Sequence, residues 1–435
     1  MRKKKPGLSL GSILTLCLTA VVTVGCVFVF GRIRNPSVSG AMEARKVIGA
    51  VQSFMQGETQ PQATVRTVTF TLAPTSAPTP APAPTPALYT PDPQKKTYAP
   101  HSFSLTAGGL LAFQSDICDS VYNKTDKTLD LMSVVNTIRN KISADLNLLA
   151  LPQTINTADR KYSDTMAPVE AASAIRAMRV DHVILGTEHL LDQGTDGAEA
   201  TVSALRNQNV VGVGDASQPC MVQINGGAVA ILSYTDVLTT RGKNALASSP
   251  GYLTLYSEDV ARQQIQQARN QGARCVIVYM YWGKLDTASV TTAQKNTARA
   301  LAAMGADVIL GIRSSRVLPM ELIRVNDEAG KQRTAFVAYS LGTLLTESRE
   351  GVDISGALLH LNLRSDENGE MHFEGIEYTP TYIWRQSVAG KIQYRLICSA
   401  DSAPEYMSDQ QKDVMARALK RIQNALKDSP VKQRK

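Results

Sequence analysis

The chain has 435 residues, 43% of them hydrophobic, with 46 Lys and Arg against 38 Asp and Glu for a formal charge of +8. That length and apolar content allow one large core with appendages, or two modest domains. The charge does not mark a nucleic-acid binder: Arg2, Lys3, Lys4 and Lys5 precede an apolar run, Lys427, Lys432, Arg434 and Lys435 lie in a polar tail, and no aromatic-interleaved basic patch lies between them.

Residues 1–7 form a basic stub. Residues 8–30 are apolar or small without a charge, long enough to cross a bilayer as a transmembrane helix at about 1.5 Å per residue. The run is too long for a signal-peptide core and has no A-x-A cleavage site. Gly25-Cys26 offers a lipoprotein-type alternative, but Thr23 and Val24 precede it and the apolar run continues through Phe30. Four Lys/Arg before the span, against Arg32 and Arg34 after it, put the N-terminus inside the cell and the bulk of the chain outside. In the juxtamembrane segment 31–72, Ala41 to Gln56 has the spacing of an amphipathic helix, and Val68, Phe70 and Leu72 alternate with threonines as in a strand. Residues 73–97 are a Pro/Thr-rich linker. Proline at every second or third position removes backbone donors and fixes φ, so about twenty such residues make a semi-rigid stalk of about 60 Å. After a span this reads as a spacer; the other use of such a segment, as an SH3 ligand, does not suit the outer side.

A folded domain is expected over 98–400. Ser102 to Ala107 is a first strand ending at Gly108-Gly109. Leu129 to Leu149 has a helical period through Leu131, Val134, Val135, Ile138 and Ile142. Val169 to Met178 is a helix and Asp181 to Leu185 a strand, followed by the polar run Gly186 to Gly194. Val210 to Gly214 has glycines but neither a lysine nor G-x-G-x-x-G spacing, so it reads as a turn between strands rather than a phosphate loop. Gly227 to Tyr234 is a strand, Thr239 to Ser249 a polar surface loop, and Asp259 to Gln271 a helix. Cys275 to Met280 is a buried strand that ends in Tyr281-Trp282-Gly283. Gln294 to Met304 is a helix leading into the strand Asp307 to Leu310, whose carboxyl end opens into the polar loop Arg313, Ser314, Ser315, Arg316. Ala357 to Leu363 and Met371 to Tyr378 alternate around the turn Asp366 to Gly369. Over 401–426, Ser408 caps a final amphipathic helix, and the charged tail 427–435 is expected to be disordered. Cys17 and Cys26 lie in the span. Cys118, Cys220, Cys275 and Cys398 have neither metal-like nor framework spacing, Cys275 reads as a buried hydrophobe, and a disulfide among the other three has no sequence support.

One group of fragments carries a resemblance. G-A-D-V-I-L-G at 305–311, five residues, V-L-P-M-E at 317–321, then Y-S-L-G at 339–342 resembles the C-terminal half of the CapA/PgsA family of bacterial capsule and poly-γ-glutamate synthesis. The resemblance covers about Phe103 to Ile383. It implies an α/β fold of the calcineurin-like metallophosphoesterase type, a layered β-sandwich flanked by helices, here on a single transmembrane helix and stalk in the bacterial cell membrane. It also implies a metal site, and the ligands depart from the family pattern. Gly109 stands for the first aspartate, Leu149-Ala150-Leu151-Pro152 for alanine-asparagine-leucine-glutamate, and Tyr281 for the histidine before tryptophan-glycine. Arg313 and Ser315 stand for paired histidines, and Thr343-Leu344 for asparagine-phenylalanine. In the asparagine-asparagine-histidine motif, Thr187 and Glu188 replace the asparagines, while His189, Asp192, Gly194, Gly197 and Thr201 match. Arginine has no free lone pair for a metal, so neither a metal nor another cofactor is expected.

Candidate catalytic residues are His189, Glu188, Asp192 and Tyr281; candidate ligand-binding residues are Arg313, Ser315, Arg316, Trp282 and His189. His189 is either a surviving acid/base group or part of a local helix-start cap. Arg313 either pairs with Glu188 and closes the old site, or joins Arg316 in a pocket for an anion such as a polyglutamate carboxylate. Three functions are open. The chain is a non-catalytic tethered subunit that binds or guides an anionic polymer beside capsule-synthesis subunits, or a hydrolase or transferase with a rebuilt, metal-free site, or a structural envelope protein. Membrane and polymer are the expected partners; nucleic acid is not.

Overall fold

A computed structural model of the chain describes residues 99–434, apart from 157, 159–161, 249–250, 348–353 and 389. The expected stub, span, juxtamembrane segment and stalk lie outside the described residues. Within them, no helix is long and apolar enough to cross a membrane.

Two sheets face each other. The first runs, in spatial order, Lys391–Cys398, Met371–Val388, Ser355–Ser365, His101–Leu111, Leu146–Ala150, His182–Ile184 and Val211–Val213. The second runs Thr254–Leu255, Gly227–Thr235, Ala273–Tyr281, Val308–Ile312, Gln332–Ala338 and Met320–Asn326. Side chains on a strand alternate between faces, and here both faces are apolar, as expected for sheets covered on both sides. Leu148 and Ile277 point into the layer between the sheets with Leu105, Ile231, Tyr279 and Leu310. Their neighbours point outward under helices: Leu149 packs with Ile138, Ile175 and Leu205, and Val276 and Val278 pack with Ile265, Leu301 and Ala302. The layering is therefore helix, sheet, sheet, helix. Across the middle, the Tyr279 hydroxyl donates to the Gly108 carbonyl at 3.3 Å.

The helices begin where the sequence supplies caps. Ser257 caps Glu258–Asn270, and Thr291 with Gln294 forms a capping box on Thr292–Met304, which stops at Gly305 with φ +121°.

Five expectations are corrected. The first strand runs through both glycines to Leu111. Leu129 to Leu149 is a one-turn helix, Met132–Val135, a 3-10 helix, Asn136–Lys141, and then the strand Leu146–Ala150. Val211–Val213 is a strand, parallel to His182–Ile184, rather than a turn. Thr240–Ser248 is a helix, not a loop. The tail is ordered through 434: Lys432–Gln433 pairs in parallel with Glu377 and Tyr378, and the Arg434 N–H donates to the Tyr378 carbonyl at 2.8 Å. Cys118, Cys220, Cys275 and Cys398 are free thiols.

Candidate functional site

The carboxyl ends of four parallel strands open at one pole, the usual place for a site in a layered α/β protein. His182–Ile184 delivers the loop with Glu188 and His189, Gly227–Thr235 delivers Asp236, Ala273–Tyr281 ends in Tyr281, and Val308–Ile312 delivers Arg313.

These side chains form one chain of charges. Asp192 Oδ2 lies 2.7 Å from His189 Nδ1 and accepts on its other oxygen from the Thr239 hydroxyl. His189 Nε2 is 3.2 Å from Glu188 Oε1, and Arg313 Nε donates to Glu188 Oε2 at 3.1 Å. Arg313 also donates to the Gly283 carbonyl and lies over the Tyr281 ring, 5.8 Å from its centroid. Glu188 and Arg313 side chains are each 14% exposed and Asp192 10%. Hydrogen bonding from His189, helped by Arg313, outweighs burial and pulls the Glu188 carboxyl down to about 2. Burial opposes charge on His189, but its bonds to Glu188 and Asp192 prevail and raise its pKa above the ordinary value. Both His189 nitrogens thus face carboxylates, an arrangement that favours the imidazolium, which donates from each. Two cations and two carboxylates balance.

That arrangement holds charge in place, with His189 engaged by a carboxylate on each side. A general base needs a free lone pair, and both His189 nitrogens face carboxylates. Tyr281 is 2% exposed, and burial pushes its phenol well above the ordinary range. Arg313 itself has φ +103°, a left-handed backbone that costs an L-residue about 1–2 kcal/mol.

The structure brings His189, Glu188, Asp192, Tyr281 and Arg313 together and spends the other candidates elsewhere. Trp282 is 2% exposed, stacks on Tyr339 and donates to its carbonyl at 3.0 Å, so it belongs to the core and not to a ligand surface. Ser315 gives both its N–H and its hydroxyl to the Leu285 carbonyl. Arg316 Nε lies 2.9 Å from Asp286, whereas Arg313 pairs with Glu188. Thr187 is fully buried against the Leu151 carbonyl.

Sequence reasoning missed Asp236 and Thr239. Asp236 follows a buried strand directly at its carboxyl end, a signal that was available. It is exposed at the mouth, yet the surrounding loops desolvate it enough to raise its carboxyl above the ordinary range against the pull of Gly283 N–H and Arg313. Thr239 was hidden in a stretch that reads as a loop.

The residues do not fit the metal pair that the resemblance implies. Such a pair needs converging histidines and carboxylates; here a guanidinium and an imidazolium already neutralise the carboxylates. The place of the first aspartate is closed by main chain. A Cβ on Gly109 would lie 1.9 Å from the Gly342 carbonyl oxygen, which also accepts the Leu110 N–H at 3.3 Å.

Comparison with known proteins agrees with the motifs. The family described as bacterial capsule synthesis protein PGA_cap matches residues 104–348. The PGA biosynthesis protein CapA of Bacillus subtilis (strain 168) is 26% identical over 232 residues, 51% of this chain and 58% of that protein. The capsule biosynthesis protein CapA of Bacillus anthracis is 25% identical over 209 residues, 46% of this chain and 48% of that one. The chain thus spans about half the length of the curated relatives it matches. Among solved structures it is similar to the calcineurin-like phosphoesterase YfkN from Bacillus subtilis, with TM-score 0.37 and 11% identity over 75% of this chain and 99% of that one. It is also similar to the NAD nucleotidase NadN of Haemophilus influenzae, with TM-score 0.38 and 12% identity over 78% and 58%. Likeness at that level carries no argument about chemistry. With the matched segment running from the first strand past Thr343–Leu345, over more than half of its length, the chain belongs to the bacterial capsule synthesis protein PGA_cap family.

Proposed function

We propose that the protein is a membrane-anchored, extracytoplasmic member of a capsule or poly-γ-glutamate synthesis system that binds or guides an anionic polymer and performs no catalysis itself. The filled centre carries the non-catalytic part. Glu188 and Asp192 are neutralised by Arg313 and His189, and the Gly342 carbonyl occupies the place where a first metal-binding side chain would project. The polymer class rests on kinship, since the relatives are PGA and capsule biosynthesis proteins. Anchoring rests on the uncharged run 8–30 and the basic residues before it.

The test uses the full chain in detergent with soluble poly-γ-glutamate and, separately, bis(p-nitrophenyl) phosphate, each with Mn²⁺ present. The expected result is co-sedimentation of the polymer, without shortening it and without release of nitrophenol. Turnover that disappears in His189→Ala overturns the non-catalytic role. Failure to retain the polymer overturns the binding role.

A further inference from the structure

At the pole opposite the filled centre, where the strands begin, a cavity of about 370 Å³ opens between the 3-10 helix Asn136–Lys141 and the end of the helix Glu170–Ala177. Three arginines, Arg139, Arg176 and Arg179, line it against a single carboxylate, Asp181. Asp181 is already taken, with its Oδ1 2.6 Å from Arg176 Nη1. The Arg139 and Arg179 side chains make no hydrogen bond or ion pair among the described residues and are exposed. The floor is fixed: Asn147 is 4% exposed and bonds through its amide to both the N–H and the carbonyl of Ala144.

A helix carboxyl end attracts cations through its dipole, which accounts for a basic residue somewhere in this last turn. It does not account for the residue at 179. Among the described residues, four helices in the sandwich are followed by a left-handed residue before the next strand. Three use the types that tolerate it, Asn209 (φ +55°), Gly272 (φ +92°) and Gly305 (φ +121°). The fourth places Arg179 there, at φ +68°. Arg179 thus takes the conformation that asparagine or glycine takes after the other three helices, beside the unpaired Arg139 and over the Asn147 floor.

We propose that this cavity binds an oxyanion, a carboxylate or phosphate group, through planar guanidinium hydrogen bonds from Arg139 and Arg179. It would offer an anionic chain a contact away from the closed centre, but the site does not depend on the polymer role, because a free anion has the same chemistry.

The experiment is calorimetric titration of the full chain at low salt with two separate probes, a soluble γ-linked glutamate oligomer and inorganic phosphate. It compares wild type with Arg139→Gln and Arg179→Gly. Arg179→Gly relieves the backbone, so its Tm is expected to be unchanged or higher, which separates loss of binding from loss of fold. Each substitution is expected to weaken binding about tenfold or more, as for one charge-assisted contact. Oligomer binding weakened in both variants supports the site with a polymer as its source. Phosphate binding alone, weakened in both, supports the site with a free anion and removes the polymer from this cavity. If wild type binds neither probe, or either variant binds as wild type does, the inference is overturned.

Discussion

Arg313 is the residue on which the reading of the centre turns, and its removal has a calculable cost. Arg313→Ala leaves Glu188 with one cation instead of two, frees the Gly283 carbonyl and removes the guanidinium from the Tyr281 ring. Breaking a fully buried pair costs about 3–5 kcal/mol. Both partners here retain 14% exposure, which places the expected loss near the lower end, about 3 kcal/mol, with the cation–π contact inside that figure. Arg313→Gly loses the same contacts but relieves the φ of +103°, so it should be more stable than Arg313→Ala by about 1 kcal/mol. Equilibrium urea unfolding of the full chain near pH 6 reads both values. The two tryptophans, Trp282 and Trp384, are each 2% exposed in the domain and report its unfolding by fluorescence. An Arg313→Ala stability within about 0.5 kcal/mol of wild type, the range of an ordinary surface change, would refute the closed ion pair. A glycine variant weaker than the alanine variant would refute the strain.

Two further outcomes follow from the same geometry. Glu188 falls from 4.5 to about 2, so its contribution of about 3 kcal/mol is present above pH 4.5 and lost as pH falls through its folded value. His189 is raised above 6.5, so its contribution is complete below that pH and lost as pH rises through the folded pKa. The stability difference between wild type and His189→Gln should therefore be largest between about pH 5 and pH 6 and shrink toward pH 9; a flat difference contradicts the imidazolium. Gly109→Asp, which restores a carboxylate to the family's first ligand position, should destabilise by at least about 3 kcal/mol, because its Cβ meets main chain at 1.9 Å. A Gly109→Asp protein with wild-type Tm contradicts the closure.

The strands were legible because burial on both faces leaves a continuous apolar run, as in Gly227–Thr235 and Ala273–Tyr281. What misled the reading was weak or shared signal. Thr240–Ser248 buries only Gly242 fully, so no apolar stripe marks it as a helix. Leu131, Val134, Val135 and Ile138 keep helical spacing across two short helical pieces, and Leu146 continues that apolar run into a strand. Lys432–Gln433 joins the sheet by backbone alone with both side chains exposed, and a ladder of main-chain bonds leaves no mark on composition. At the site, the Glu188–Arg313 pair was legible because each residue replaces a residue of a family motif in the loop that follows a strand. The structure turns Trp282, Ser315 and Arg316 toward Tyr339, Leu285 and Asp286, which sequence position could not give, because it places a residue on a loop without saying which way its side chain turns.

The replacements at the centre are coupled by charge, and that coupling explains why the site would not be regained one ligand at a time. Carboxylates brought together without a countercharge are costly to bury. Without a dication, Glu188 and Asp192 need other cations, which the Arg313 guanidinium and the doubly hydrogen-bonded His189 supply. Those cations then exclude a metal by both charge and occupancy. Returning Tyr281 and Arg313 to histidine would leave Glu188 without its arginine while Ser315 stays committed to the Leu285 carbonyl. Gly109 would still face the Gly342 carbonyl, and Gly342 is itself held at φ +72° with Val317 and the Ser355 carbonyl within 3.2 Å of any added Cβ. Moving that strand crossing means moving the Thr343–Leu345 pairing on the first strand. The centre is thus closed by the backbone of the sheet as well as by the side chains at its edge.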